Sequence, residues 1–180
     1  MRVITGSAKG IRLKTPDGLK TRPTSDRVKE AVFSIVQFEV EGSRFLDLFA
    51  GTGQMGIEAL SRGAVSAVFV DGWKDACQLV RDNLKLTRLS EKAKVVNSDY
   101  LSYLKNCREQ FDIIFLDPPY AEIFLENSLN KISEIDILSD RGIIICERPA
   151  EKQLDLDISG LQRWKDYRYG KTWITVFRKA

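Results

Sequence analysis

Phe45-Leu46-Asp47-Leu48-Phe49-Ala50-Gly51-Thr52-Gly53-Gln54-Met55-Gly56 passes from an apolar run through glycines into a helical pattern, and that passage decides the fold. An apolar run of strand length that breaks at glycine and resumes with helical spacing reads as a strand, loop and helix junction. Gly51, Gly53 and Gly56 satisfy the spacing G-x-G-x-x-G, in which missing side chains let a ligand approach the backbone. Asp71 closes the next apolar run, Val65 to Val70, about 20 residues further on, where an acidic side chain can bind a ribose diol. Dinucleotides and S-adenosylmethionine both carry such a ribose, so the loop and Asp71 leave either cofactor open.

Asp117-Pro118-Pro119-Tyr120, at the end of the apolar run Phe111 to Leu116, narrows the choice. The exocyclic amine of a nucleobase is a poor nucleophile because its lone pair is delocalised into the ring. A carboxylate and a fixed carbonyl can turn that nitrogen toward tetrahedral geometry. Asp117 would accept one N–H and the carbonyl of Pro118, held between two proline rings, the other, with Tyr120 stacking on the base. A dinucleotide enzyme requires neither this turn nor the acidic Asp47 inside the first strand. S-adenosylmethionine carries a sulfonium and an ammonium and no pyrophosphate, so carboxylates beside its loop are electrostatically favourable where they would repel a dinucleotide.

From Phe45 onward apolar runs alternate with helical segments: Phe45 to Phe49, Val65 to Asp71, Lys94 to Asn97, Phe111 to Leu116 and Gly142 to Glu147, with helices expected to start near Gln54, Trp73, Asp99 and Glu122. Such alternation predicts an α/β fold with a doubly wound, mostly parallel sheet. Gly51, Asp71, Asp99 and Asp117 then converge on the carboxyl edge of the strands, where open sheets of this kind bind ligands. Leu161 to Tyr169 and Thr172 to Arg178, joined near Gly170, predict a closing antiparallel hairpin. Upstream, Arg2 to Thr15 reads as a short hairpin with turn signals at Gly6 and Lys9-Gly10, and Thr15 to Pro23 as a connecting loop. A helix capped by Thr24 or Ser25 follows, with Val28, Ala31, Val32, Ile35 and Val36 at helical spacing.

With 180 residues, 43% apolar and 29% charged, the sequence suits one domain with a proper core, and a soluble cytoplasmic protein without a signal peptide or membrane span is expected. Cys77, Cys107 and Cys146 are widely spaced and form no CxxC pair, so no disulfide framework or zinc site is indicated. The sequence contains no histidine, which removes histidine-based triads and histidine-ligated metals; no metal is expected. The net charge of +3 is uneven. Residues 1–29 hold eight Lys and Arg against two Asp, a local charge of +6 that leaves −3 for the rest. Lys9, Arg12 and Lys14 in the hairpin, with Arg22 and Arg27 nearer the helix, therefore point to an anionic macromolecular partner, nucleic acid above all. A second basic and aromatic cluster comprises Arg163, Trp164, Lys165, Tyr167, Arg168, Tyr169, Lys171 and Trp173. Its alternation with Ile174, Thr175, Val176 and Phe177 is also what a packed terminal strand requires.

The sequence resembles the bacterial ribosomal RNA guanine-N2 methyltransferase family called RsmD nearly end to end. The resemblance rests on Arg2-Val3-Ile4-Thr5-Gly6, on Arg22-Pro23-Thr24-Ser25-Asp26-Arg27-Val28-Lys29-Glu30, on Leu46 to Gly53 with Gly56 to Ala64, and on Asp117-Pro118-Pro119-Tyr120. It implies a class I, Rossmann-like fold dependent on S-adenosyl-L-methionine, acting on a guanine of 16S rRNA within a small ribosomal subunit or assembly intermediate. It further implies that Asp47, Phe49, Gly51, Thr52, Gly53, Asp71 and Asp99 surround the cofactor, and that Asp117, Pro118, Pro119 and Tyr120 surround the guanine. Lys9, Arg12, Lys14, Arg22, Thr24 and Arg27 form the expected RNA-binding set. One domain over residues 1–180 is expected, residues 1–40 being a basic hairpin and helix extension of a catalytic core at 41–180. The residues by themselves also suit a methyltransferase acting on adenine N6 or cytosine N4, a non-catalytic RNA-binding assembly factor and, less well, a nicotinamide oxidoreductase.

Overall fold

The structure is a computed structural model that describes residues 1–16, 25–119, 122–149 and 157–180. Helical spacing after Ser25 becomes α1 (Asp26–Ile35), and the Ser25 hydroxyl accepts the Val28 N–H at 3.3 Å as its N-cap. Strands and helices then alternate: β1 (Arg44–Asp47), α2 (Gln54–Ser61), β2 (Ser66–Asp71), α3 (Lys74–Thr87), β3 (Ala93–Asn97), α4 (Tyr100–Asn106), β4 (Phe111–Leu116), α5 (Glu122–Ile135) and β5 (Leu138–Pro149). The hairpin β6 (Leu161–Tyr169) and β7 (Thr172–Lys179) closes the sheet. Strand order is β3-β2-β1-β4-β5-β7-β6, with β1 to β5 parallel and β7 antiparallel to both β5 and β6. The sequence-based expectations for these elements hold to within two residues except at β5, which begins four residues early and ends two residues late. Leu138 pairs with Phe111 but Ile143 with Ile113, so the polar Ser139, Asp140 and Arg141 bulge within the strand and escape an apolar reading.

Both faces of the sheet are covered, which is why its central strands read as continuous apolar runs. One core joins Phe45, Phe69, Ile113, Phe115 and Ile145 of the sheet to α1, α2 and α3. The other joins Leu46, Val70, Ile114, Leu116 and Cys146 to α4 and α5. Among the described residues no helix is long and apolar enough to cross a membrane.

Residues 1–14 form a minimal hairpin: Arg2 bridges Arg12, and the Val3 and Gly10 amides donate to the Ile11 and Val3 carbonyls. It is docked on the first core by Val3, Ala8 and Leu13. A Cβ on Gly6, whose φ is +88°, would lie 1.7 Å from the Ser61 carbonyl oxygen, so only glycine lets the hairpin approach the end of α2. Glu58, fully buried on α2, accepts the Ile4 and Thr5 amides at 2.8 and 3.0 Å and the Arg62 guanidinium at 2.8 Å. The Lys29 ammonium, also fully buried, lies 3.8 Å from Glu58 and donates to the Arg2 carbonyl at 2.6 Å. Burial pulls the Lys29 pKa below its ordinary value, opposed by Glu58 and Asp26. Lys29 is thus an internal counter-ion for Glu58, and its charge belongs to the docking of the hairpin rather than to the basic surface read from the sequence.

Candidate active site

The Leu48 amide donates to the Phe115 carbonyl and the Ala50 amide to the Val70 carbonyl, so the glycine loop leaves β1 between the ends of β2 and β4. Gly51 has φ +54°, and a Cβ there would meet no atom within 4 Å; the loop borders open space at this residue. Gly53 and Gly56 serve the protein's own packing instead. A Cβ on Gly53, the left-handed N-cap of α2, would press on Val80 at 3.0 Å, and one on Gly56 would enter the Phe69 ring at 2.3 Å. The three glycines therefore divide the labour, with Gly51 bordering open space and Gly56 allowing α2 to pack on β2.

Asp71 pins the loop. Its two carboxylate oxygens accept the Gly51 and Trp73 amides, each at 2.9 Å, and the half-exposed carboxylate retains lone pairs for a diol. Asp47 lies beneath the loop, only 2% exposed, and accepts the Gly56 amide at 3.2 Å. Loss of solvent raises its pKa from 3.8 to about 7, partly offset by the Gly56 hydrogen bond and reinforced by Asp71. Asp47 is paired in register with both Phe69 and Phe115, which places Asp71 and Asp117 two residues further along the flanking strands, on the same face of the sheet. The three carboxylates thus frame the loop from below and from either side, and half-buried Asp117 and Pro118 leave the end of β4 directly beside it. Asp99 caps α4, accepting the Leu101 and Ser102 amides at 3.1 and 3.0 Å, and its bonds to Ser102 hold its pKa below the ordinary value.

Phe49 packs at 5.2 Å between ring centroids on Tyr100, which meets Phe124 edge-on at 5.4 Å. This row ties the loop after β1 to the first turns of α4 and α5, on the side of the loop opposite α2. Tyr100 and Phe124 were not expected from the sequence; the nearest signal was an aromatic residue immediately after a capping Asp. Asn83 was also missed. Fully buried on α3, it exchanges hydrogen bonds with the Lys14 amide and carbonyl at 2.7 and 3.1 Å and donates to the Thr52 carbonyl at 3.0 Å, joining the hairpin to the glycine loop. An isolated asparagine in an amphipathic helix carries no signal of such a contact.

Of the expected RNA-binding residues, Lys9, Arg12 and Arg27 are exposed. Lys14 is exposed but its ammonium lies 3.1 Å from Asp82. Arg22, Thr24 and Tyr120 lie outside the described residues. Among the described residues no cluster of three or more metal-ligating side chains is present. The concavity lined by Arg44, Ser66, Arg108, Glu109, Gln110 and Phe111 opens where β1 and β4 begin, at the opposite edge of the sheet.

Open space at Gly51, an acidic clamp at Asp71 and two further carboxylates, Asp47 and Asp99, suit a nucleoside cofactor bearing positive charge. With the strand order and the Asp117-Pro118-Pro119 turn beside the loop, they define an S-adenosylmethionine-dependent methyltransferase of the Rossmann-like class. The chain belongs to the family described as conserved hypothetical protein 95, matched over residues 1–178, the family of ribosomal RNA small subunit methyltransferase D. It is 41% identical to YlbH of Bacillus subtilis over 182 residues, covering 99% of each chain. It is 35% identical to ribosomal RNA small subunit methyltransferase D of Escherichia coli K12 over 154 residues, 86% of this chain and 77% of the relative. The solved structure of yhhF from Escherichia coli superposes with a TM-score of 0.90 at 30% identity, covering 99% of this chain and 97% of that one.

Proposed function

We propose that the protein transfers a methyl group from S-adenosylmethionine to the exocyclic N2 amine of a guanine in 16S rRNA, presented within a small ribosomal subunit or an assembly intermediate. The observation that carries this reading is the Asp117-Pro118-Pro119 turn at the end of β4, beside the glycine loop and on the same face as Asp47 and Asp71. Kinship with ribosomal RNA small subunit methyltransferase D supports the choice of guanine in small-subunit rRNA.

Asp71 would hold the ribose, the open side of Gly51 the methionine portion, and Asp99 with the Phe49–Tyr100 pair the adenine side. When bound, the cofactor supplies an electrophilic methyl group on a sulfonium. The protein's part is to present the nucleophile. Asp117 accepts one N–H of the guanine amine and the Pro118 carbonyl the other, which directs the nitrogen lone pair toward the methyl carbon. As the N–C bond formed, the methyl–sulfur bond would break and its electron pair would leave with the sulfur as a neutral thioether; the nitrogen would become positive, and Asp117 would accept its proton or pass it to water. A neutral nucleophile and a cationic methyl donor disperse charge as they react, so most of the acceleration comes from alignment. The target guanine must leave any stack to reach the turn.

Incubation with S-adenosylmethionine labelled in its methyl group, with naked 16S rRNA and with small subunits in parallel, tests the reading. Label should enter rRNA, and faster from subunits or intermediates than from naked RNA. Preference for naked RNA would refute the proposed context, and no label in either would refute the activity.

A further inference from the structure

Cys146 of β5 is paired with Leu116 of β4, and continuing that register by two residues sets Pro118 of the catalytic turn level with Arg148. Arg148 is paired with Trp173 of β7 and Trp173 with Arg168 of β6. The row Pro118, Arg148, Trp173, Arg168 therefore crosses the carboxyl edge of the sheet on one face. It spans three strand spacings, about 14 Å, outward from the site where the guanine amine is held.

The chemistry of this row is that of a single-stranded RNA rail. Arg148 is nearly buried, with its guanidinium 5.3 Å over the Trp173 ring and its Nε donating to the Thr175 hydroxyl at 3.1 Å. It backs the half-exposed indole with a fixed cation. Arg168 is exposed and turns its Nε to the Gly170 carbonyl at 3.3 Å, and Lys171 is exposed at the tip of the same hairpin. Among the described residues, the nearby acids are engaged elsewhere or sit deeper. Asp166 is half-buried, bonded to Thr175 and Arg163 and 3.8 Å from Arg148, while Glu147 is half-buried on the opposite face, in register with Ile174. Cations flanking a cation-backed aromatic face provide phosphate contacts and sequence-tolerant stacking together.

We infer that the β6–β7 hairpin is a second RNA-contact surface, separate from the N-terminal hairpin, that holds the single-stranded nucleotides flanking the target guanine. Arg168 and Lys171 contact phosphates and Trp173 stacks on a flanking base. This inference rests on the rRNA methyltransferase reading and adds to it where the flanking RNA runs.

The test compares wild type with the double variant Arg168→Gln, Lys171→Gln on two RNAs from the methylated site: a trinucleotide centred on the target guanine, and a fragment extending several nucleotides on each side. On the longer fragment the variant should bind about tenfold or more weakly at 0.1 M salt, and its salt slope should be shallower by roughly 1.4 to 1.8, for two phosphates at about 0.7 to 0.9 each. On the trinucleotide, which cannot span the row, the two proteins should have equal kcat/KM. Trp173→Phe should retain binding of the longer fragment, whereas Trp173→Leu should lose it, with unchanged cofactor affinity reporting an intact fold. Equal affinity and salt slope for wild type and double variant on the longer fragment would overturn the inference while leaving the methyltransferase reading intact. Wild type that binds neither RNA yet labels small subunits would overturn the inference alone, and wild type that binds neither RNA and labels no subunit would overturn both.

Discussion

Asp47→Asn isolates the cost of holding a carboxylate beneath the glycine loop. In the folded protein burial raises the Asp47 pKa from 3.8 to about 7, so the folded state binds a proton more tightly than the unfolded chain between those values. Stability from this residue is fully present below pH 3.8 and is lost as pH rises to about 7, because the unfolded chain ionises Asp47 first. At 1.36 kcal/mol per pKa unit the whole window corresponds to about 4 kcal/mol, of which roughly 3 kcal/mol falls between pH 5 and pH 8. Asparagine keeps an acceptor for the Gly56 amide and removes the titration. Urea unfolding of both proteins across this range should show the variant gaining on wild type by roughly 3 kcal/mol, whatever constant offset asparagine packing introduces. Taking the difference between the two proteins cancels every other titrating group. A difference that stays flat to within about 0.5 kcal/mol would refute the assignment of a buried, proton-retaining Asp47. The same carboxylate should make wild-type cofactor affinity rise with pH up to about 7, since a cationic ligand favours its ionised form, and Asp47→Asn should abolish that rise.

Asp117→Asn should slow methyl transfer by about 100-fold or more at saturating RNA with cofactor affinity nearly unchanged, and near-wild-type turnover in a steady-state assay would exclude Asp117 from the chemistry. Gly51→Ala should weaken cofactor binding by filling the open side of the loop, read by calorimetry; unchanged affinity in the folded variant would move the ligand elsewhere. Glu58→Ala should destabilise the protein by about 3 to 5 kcal/mol in urea unfolding, because Lys29 is left buried with only the half-exposed Asp26, 3.9 Å away, and the Ile4 and Thr5 amides lose their acceptor. A loss below about 1 kcal/mol would show that Lys29 reaches solvent. Lys9→Gln with Arg12→Gln should make the salt slope of RNA affinity shallower by roughly 1.4 to 1.8, whereas adding Lys14→Gln should change it little because Asp82 already compensates Lys14.

The alternating strands and helices were legible because β1, β2, β4 and β5 are buried on both faces and their apolar runs are bounded by glycine or aspartate. Gly51, Asp71, Asp99 and Asp117 were legible for a related reason: topology sends every parallel strand end to the same edge, so residues after strands converge even when far apart in sequence. Contacts between elements left less trace. Lys29 counts as one more positive charge in a basic segment, and only its burial against Glu58 shows that it clamps the hairpin to α2. Gly6 read as a turn signal, yet its close approach to Ser61 forbids a side chain there. The row from Pro118 to Arg168 depends on three pairings among four strands, and a register of that kind is set by packing and turn geometry across the whole sheet.

The central claim, that the turn at Asp117 beside the glycine loop methylates guanine N2 of small-subunit rRNA, is tested most directly by mass spectrometry. Small subunits are incubated with the protein and S-adenosylmethionine labelled in its methyl group, and the rRNA is digested to nucleosides and sequenced fragments. The account predicts label in N2-methylguanosine at one position of 16S rRNA, lost with Asp117→Asn. Label in N6-methyladenosine, in N4-methylcytidine or in no nucleoside would contradict it.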